Sequence, residues 1–347
     1  MPKTVSDQVV VITGASTGIG RAAALAFAAR GARVVCAARS TQALDTLVEQ
    51  IRTDGGTAVA VPTDVADAAA VRSLADLAER QFGRIDTWVN NAAVSVWGRV
   101  EDITDAEFER VMRVNFLGQV HGIHAALPAL RRAGGGVIIG IASVEGVRAV
   151  PLHAPYTASK FALRALYDCL RMELAQDGAP VAVTTILPAS IDTPFFEHAR
   201  SKLGAMVKPP PPVYAPEVVA ANMVYAAEHP RREIPVGGSA VGFILSQRLS
   251  PALADTMFST RRLGIGTQRS DRPDNGVDNV DSPVDGPGQV RGSYPGRVLR
   301  HSLFTRLIGR RPRPGEIATA ALARLRRTRQ AGTPTSEPTP AAPRPAG

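Results

Sequence analysis

Residues 13–20 read TGASTGIG. QVVVI (8–12) precedes them as a short β-branched run. GRAAALAFAARG (20–31) follows with apolar residues at helical spacing and closes on glycine. A glycine-rich turn joining a strand to a helix offers free backbone N–H groups and the positive end of a helix dipole to an anion. Gly14 permits the tight turn, Gly18 lets the backbone approach a pyrophosphate, and Gly20 lets the helix sit close to the strand. With Ser16, Thr17 and Ile19 they make up the expected dinucleotide-binding turn.

The same strand–helix alternation continues outward. ARVVCAAR (32–39) reads as a second strand and TQALDTLVEQIRTDGG (41–56) as a second helix. TAVAVPTDV (57–65), DAAAVRSLADLAERQFG (67–83) and IDTWVNNAA (85–93) repeat the pattern. A long helical pattern covers 105–133, GVIIGIAS (136–143) is strand-like, 155–177 is helical, and PVAVTTILPAS (180–190) is a strand. APEVVAANMVYAAEHP (215–230) and REIPVGG (232–238) close the series. Continuous apolar strands between amphipathic helices predict an α/β domain over 1–260, a doubly wound parallel sheet of seven strands covered on both faces. Residues 194–214, PFFEHARSKLGAMVKPPPPVY, interrupt the alternation and read as a lid or binding loop. AVGFILSQRLSPALADTMF (240–258), broken by Arg248, Pro251 and Asp255, reads as a dimer or lid helix.

At 347 residues and 45% hydrophobic content the chain has ample material for a core. Its formal charge of +9 is unevenly placed: sixteen arginines, no lysine and seven acidic residues fall in 261–347, and residues 1–260 are balanced. A neutral domain lacks the basic face that nucleic acid requires. TQRSDRPDNGVDNVDSPVDGPGQVRGSYPG (267–296) and AGTPTSEPTPAAPRPAG (331–347) predict a mostly disordered basic tail, with short helices around 296–330. VLRHSLFTRLIGRR (298–311) suits weak contact with an anionic membrane surface, docking on its own domain, or disorder. Cys36 and Cys169 both lie in apolar-periodic segments and are expected as buried free thiols, which fits a reducing, cytoplasmic setting. No signal peptide or spanning helix is expected.

At the end of the second strand an acid would bond a ribose 2′-hydroxyl and favour NAD. Ala37, Ala38 and Arg39 stand there instead. Arg39 suits a 2′-phosphate, with Ser40 and Ser16 as helpers, so NADP (NADPH) is the preferred cofactor and NAD the alternative. A solvated arginine stacking on adenine is the bland reading. Further on, PYTASK (155–160) stacks Tyr156 one helical turn before Lys160. A phenol is a poor base at neutral pH, and an adjacent ammonium would lower its pKa.

TGASTGIG, NNAA (90–93) and YTASK (156–160), in that order, resemble the short-chain dehydrogenase/reductase family over roughly residues 5–240. The glycine spacing resembles the compact single-domain branch with a Rossmann-like fold. The resemblance implies hydride transfer between a nicotinamide and a ketone or secondary alcohol. It implies Tyr156 as the proton-transferring group, Lys160 as its partner and as a contact to the nicotinamide ribose, and Ser143, thirteen residues before Tyr156, as a donor to the substrate oxygen. It implies Asn115 as the anchor of a water beside the lysine. Asp64 and Val65 would meet adenine, Asn91 the adenosine ribose, and Pro188, Ile191 and Thr193 the nicotinamide carboxamide. Homo-oligomers are common in the family. Two positions depart from its pattern: Ala93 and Ala189 stand where glycine is usual, each adding a methyl near the nicotinamide end. The rivals from other classes are a dinucleotide-sensing protein with a degenerate site and a tail-driven membrane or nucleic-acid adaptor.

Weaker signals remain. His121 and His124 share a helix face, but with no third ligand nearby packing is the simpler reading, and no metal is expected. Glu145 and His153 flank the expected site, facing substrate or its rim. Val94, Trp97, Phe195, Phe196, Leu203, Met206 and Tyr214 would wall an apolar pocket.

Overall fold

Val9–Thr13 (β1) is buried along its whole length, and its alternate residues supply two different cores. Val10 and Ile12 face one side of the sheet and Val9 and Val11 the other, as the period-two geometry of a strand requires. A strand apolar on both faces needs helices on both, which is why the alternating pattern becomes a three-layer fold. The structure, a computed structural model, describes residues 3–260 and 264–305.

The remaining strands are Arg33–Ala38 (β2), Thr57–Pro62 (β3), Thr87–Asn90 (β4), Gly136–Ile141 (β5), Val181–Pro188 (β6) and Glu233–Val236 (β7). They pair in parallel in the order β7-β6-β5-β4-β1-β2-β3, with Val10 opposite Val34 on one side and Thr87 on the other. One face is covered by Gly18–Ala28 (α1), Thr41–Thr53 (α2) and, later in the chain, Pro216–Glu228. The other is covered by Ala68–Phe82 (α3), Gly118–Arg132 and Ala154–Gln176. Asp105–Met112 (α4) runs into Gly118–Arg132 (α5) through one π-helical turn, Arg113–Leu117. Ala154–Gln176 is α6, Pro216–Glu228 is α7, and Ser239–Leu249 (α8) and Pro251–Ser259 (α9) follow. The strand order reverses between β1 and β4, so a crevice opens beyond their carboxyl ends, where such sheets bind ligands.

The seven-stranded parallel sheet is the one expected from sequence. Three local expectations are corrected. Cys36 is buried in β2, but Cys169 lies on the outer face of α6 and is exposed; helical spacing alone does not say which apolar stripe faces inward. Residues 267–296 are not disordered: Val280 is fully buried and the stretch is held by side chains of the domain. The cause is that backbone carbonyls of any sequence accept from arginine, which composition does not reveal. Within 296–330, the described part begins with a two-residue strand rather than a helix, Val298–Leu299 pairing with Val213–Tyr214. Of VLRHSLFTRLIGRR, residues 298–305 dock on the domain, where the Thr305 hydroxyl accepts from Gly237 N–H at 3.0 Å. The rest of the basic stretch and AGTPTSEPTPAAPRPAG lie outside the described residues. Among the described residues no helix is long and apolar enough to cross a membrane.

Candidate active site

The glycine turn is held shut from beneath. Asn91, just past β4, donates to the carbonyls of Thr13 and Gly14 at 3.0 and 3.1 Å, and its own N–H reaches the Thr13 hydroxyl. Gly14 has φ +68°, and a Cβ on Gly20 would stand 2.1 Å from the Gly14 carbonyl oxygen, so only glycine closes this turn. Thr17, the N-cap of α1, makes no side-chain cap; instead Gly18 N–H donates to the Gln289 carbonyl at 2.9 Å, an acceptor in the place where a helix terminus takes an anion. A cavity of about 770 Å³ begins here. Gly14, Ser16, Thr17, Gly18, Ile19, Arg39, Ser40, Asp64, Val65 and Asn91 all line it, and Gly20 packs behind it. A nicotinamide dinucleotide fits this cradle: the glycines give close backbone approach, and the α1 terminus already holds an oxygen acceptor where a pyrophosphate would sit.

Individual side chains differ from expectation in detail. Ser40 caps α2, its hydroxyl accepting from Ala43 N–H at 3.3 Å. Asp64 accepts from Ala66 N–H and pairs with Arg110 at 3.3 Å. The Arg39 guanidinium donates to the carbonyls of Asn279 and Asp281. Burial lowers its pKa from the ordinary arginine value.

At the other end of the cavity stand Ser143, Tyr156, Lys160, Pro188, Ile191 and Thr193. Tyr156 and Lys160 share a face of α6, with the Lys160 Nζ 5.2 Å from the centre of the phenol ring. That ammonium donates to the Ile141 carbonyl at 2.9 Å. Ser143 follows β5, its hydroxyl accepts from Glu145 N–H at 3.1 Å, and it lies near enough to the Tyr156 phenol to favour the ionised form. Asn115 sits in the π-helical turn with its side chain fully buried. It accepts from Val94 N–H at 2.8 Å and donates to the Val94 carbonyl and the Ser159 hydroxyl. Its side chain therefore braces the cavity wall.

The electrostatics reverse one expectation. Burial, followed by the Glu145 carboxylate, holds the Tyr156 phenol well above the ordinary tyrosine range, against a lowering by Ser143. Burial also pushes the Lys160 ammonium down to about 7, against an opposing pull from Glu145. An ammonium in a dry site is itself costly, so the cation does not outweigh desolvation of the phenolate. At neutral pH the phenol is therefore held protonated.

A second network lies behind the phenol. The His153 ring is stacked between Trp97, at 3.7 Å between centroids, and Tyr156, at 4.3 Å. Its Nδ1 donates to Glu145 at 2.9 Å, since a carboxylate only accepts, and its Nε2 meets the Ser95 hydroxyl at 2.5 Å. Thr157 also donates to Glu145, at 2.8 Å. Glu145 and His153 thus orient the tyrosine; the participation of Ser95 and Thr157 had no signal in the sequence.

Of the expected apolar wall, Val94, Trp97, Phe195 and Phe196 line the cavity. Leu203 packs beside Trp97, Met206 is buried elsewhere, and Tyr214 accepts from Gly238 N–H. Phe243 of α8 and Phe258 of α9 join the wall, which gives 240–258 its place. Ala93 and Ala189 line the cavity without strain: neither is among the described residues with a left-handed backbone, where Leu152 is the non-glycine example. His121 Nδ1 bonds the Val65 carbonyl at 2.9 Å, a packing role.

Comparison with known proteins agrees with this geometry. Residues 8–204 match the family model described as short chain dehydrogenase. The oxidoreductase YxnA of Bacillus subtilis (strain 168) is 40% identical over 278 residues, covering 79% of this chain and 77% of that protein. A short chain dehydrogenase/reductase from Burkholderia phymatum, solved in complex with NAD, aligns with a TM-score of 0.64 and 28% identity over 72% of this chain and 94% of that one. An alcohol dehydrogenase from the archaeon Thermococcus sibiricus, complexed with 5-hydroxy-NADP, aligns at 0.58 and 27% over 66% of this chain and 95% of that one.

Proposed function

The chain belongs to the short-chain dehydrogenase/reductase family of oxidoreductases, and from that premise we propose that it is an NADP-preferring enzyme reducing an apolar ketone or oxidising the matching secondary alcohol. The observation that carries this reading is the convergence of Ser143, Tyr156 and Lys160 on one cavity with the glycine turn. A bound nicotinamide would supply or accept the hydride. Tyr156, held protonated, donates to the substrate oxygen in the reductive direction. Ser143 donates a second hydrogen bond where negative charge develops. Lys160 lies beneath the phenol and offers its remaining N–H donors toward a ribose. The rings of Trp97, Phe195, Phe196, Phe243 and Phe258 support an apolar substrate.

Arg39 supports NADP by its position at the end of β2. Use of NAD is the second reading, favoured by the two backbone carbonyls that already occupy the Arg39 fork. A panel of carbonyl compounds assayed by NADPH absorbance, then by NADH, tests the proposal. Tyr156→Phe is expected to lower turnover by about 100-fold or more while NADPH still binds. Turnover near the wild-type rate in that variant would reject proton transfer by Tyr156.

A further inference from the structure

Residues 278–292 cross the open side of the dinucleotide cleft. At one end Val280 is fully buried, its carbonyl accepts from Arg110 Nε at 2.9 Å, and the Asn279 and Asp281 carbonyls hold Arg39. At the other end the Pro287 carbonyl accepts from Arg21 and Thr46, Gly286 N–H donates to Gln42, and the Gln289 carbonyl accepts from Gly18 N–H at 2.9 Å. Arg200, on the expected substrate loop, grips Asp278 through two bonds of 2.9 and 3.1 Å and Asp281 at 2.8 Å. The cavity is lined by the glycine turn and also by Asn279, Val284, Asp285 and Gln289 of this segment.

We propose that Asp278–Gln289 is the outer wall of the dinucleotide site, a strap that lies over the bound cofactor and lifts for each exchange. The proposal rests on the dinucleotide reading above. The strap leaves open volume beside it, while its Gln289 carbonyl holds Gly18 N–H and its Asn279 and Asp281 carbonyls hold Arg39, bonds that must yield when a dinucleotide's phosphates dock. Its anchors lie on α1, α2, α4 and the 194–214 loop, on both sides of the cleft, so a dinucleotide passes only when several of them break. Anchoring through Arg200 ties this opening to the loop beside the substrate. Gly288 is where the strap comes nearest to the turn: its φ is +74°, and a Cβ there would stand 2.4 Å from the Ser16 carbonyl oxygen.

The test uses the full chain and NADPH. NADPH is bound, chased with excess NADP, and its loss followed by stopped-flow fluorescence. Asp278→Asn/Asp281→Asn removes the charges that Arg200 holds while keeping side-chain size, and Gly288→Val wedges the strap away from Ser16. The double variant is expected to melt like wild type and Gly288→Val at a lower temperature, and both to release NADPH about fivefold faster or more, with faster association as well. Should Gly288→Val fail to fold, the double variant decides. Dissociation that is unchanged overturns the strap, as does slower dissociation with tighter binding, which would make the segment a competitor. Failure of the wild-type protein to bind either NADPH or NADH overturns the dinucleotide reading itself, and is distinguishable because no variant is involved.

Discussion

Replacing Lys160 by methionine changes the pH dependence of stability in a way the structure specifies. The side chain is 1% exposed, and its ammonium reaches the Ile141 carbonyl at 2.9 Å. Burial brings its pKa down to about 7 from the ordinary 10.5, with Glu145 opposing. Below about pH 7 folded and unfolded chains both carry the proton, and the cost of the buried charge stands in full. Between about 7 and 10.5 the unfolded chain holds up to one proton more, so wild-type stability climbs by up to about 1.4 kcal/mol per pH unit. The variant lacks that slope. It also loses the bond to Ile141, which above about pH 7 is a neutral one worth about 0.5–1.5 kcal/mol, although the Ile141 carbonyl still accepts from Gln119 at 3.2 Å. Lys160→Met is therefore expected to be more stable than wild type by about 4 kcal/mol near pH 6, less stable by about 1 kcal/mol near pH 10.5, and catalytically impaired. Urea unfolding of both proteins across this range measures the difference. Two parallel pH profiles would refute the argument, because they would mean that the lysine titrates alike in both states.

Glu145→Gln makes neutral the oxygen that His153 Nδ1–H and the Thr157 hydroxyl share, turning two charge-assisted bonds into ordinary ones, and is expected to cost about 1–3 kcal/mol in urea unfolding. With the carboxylate charge gone, the Tyr156 phenol should ionise at lower pH in an ultraviolet titration; an unmoved transition would contradict the placement of Glu145. Arg39→Ala is expected to lower the ratio of NADPH to NADH affinity about tenfold or more. Equal losses for both cofactors, read by fluorescence titration, would remove the 2′-phosphate role from Arg39.

The parts of this protein legible in its sequence are those carried by neighbours along the chain. Val9–Thr13 followed by Gly14, Gly18 and Gly20 states strand, turn and helix locally. Repetition of that pattern leaves little choice but a parallel sheet with the crevice at the β1/β4 reversal. Tyr156 and Lys160 meet because four residues are one helical turn, and Ser143 reaches them because β5 ends beside α6.

What remained was decided by pieces distant in the chain. Arg200 finds Asp278 and Asp281, Arg39 finds two carbonyls 240 or more residues away, and Ser95 finds His153. The acidity of Tyr156 and Lys160 follows from how much water the finished fold excludes and where Glu145 comes to rest, not from their spacing. Sequence alone determined the layered sheet, the glycine turn and the tyrosine–lysine pair, because hydrophobic period and backbone stereochemistry act over a few residues. Tertiary structure alone decided the strap over the cleft, the His153 brace and the protonation of the pair, because burial and long-range hydrogen bonds exist only once the chain has closed on itself.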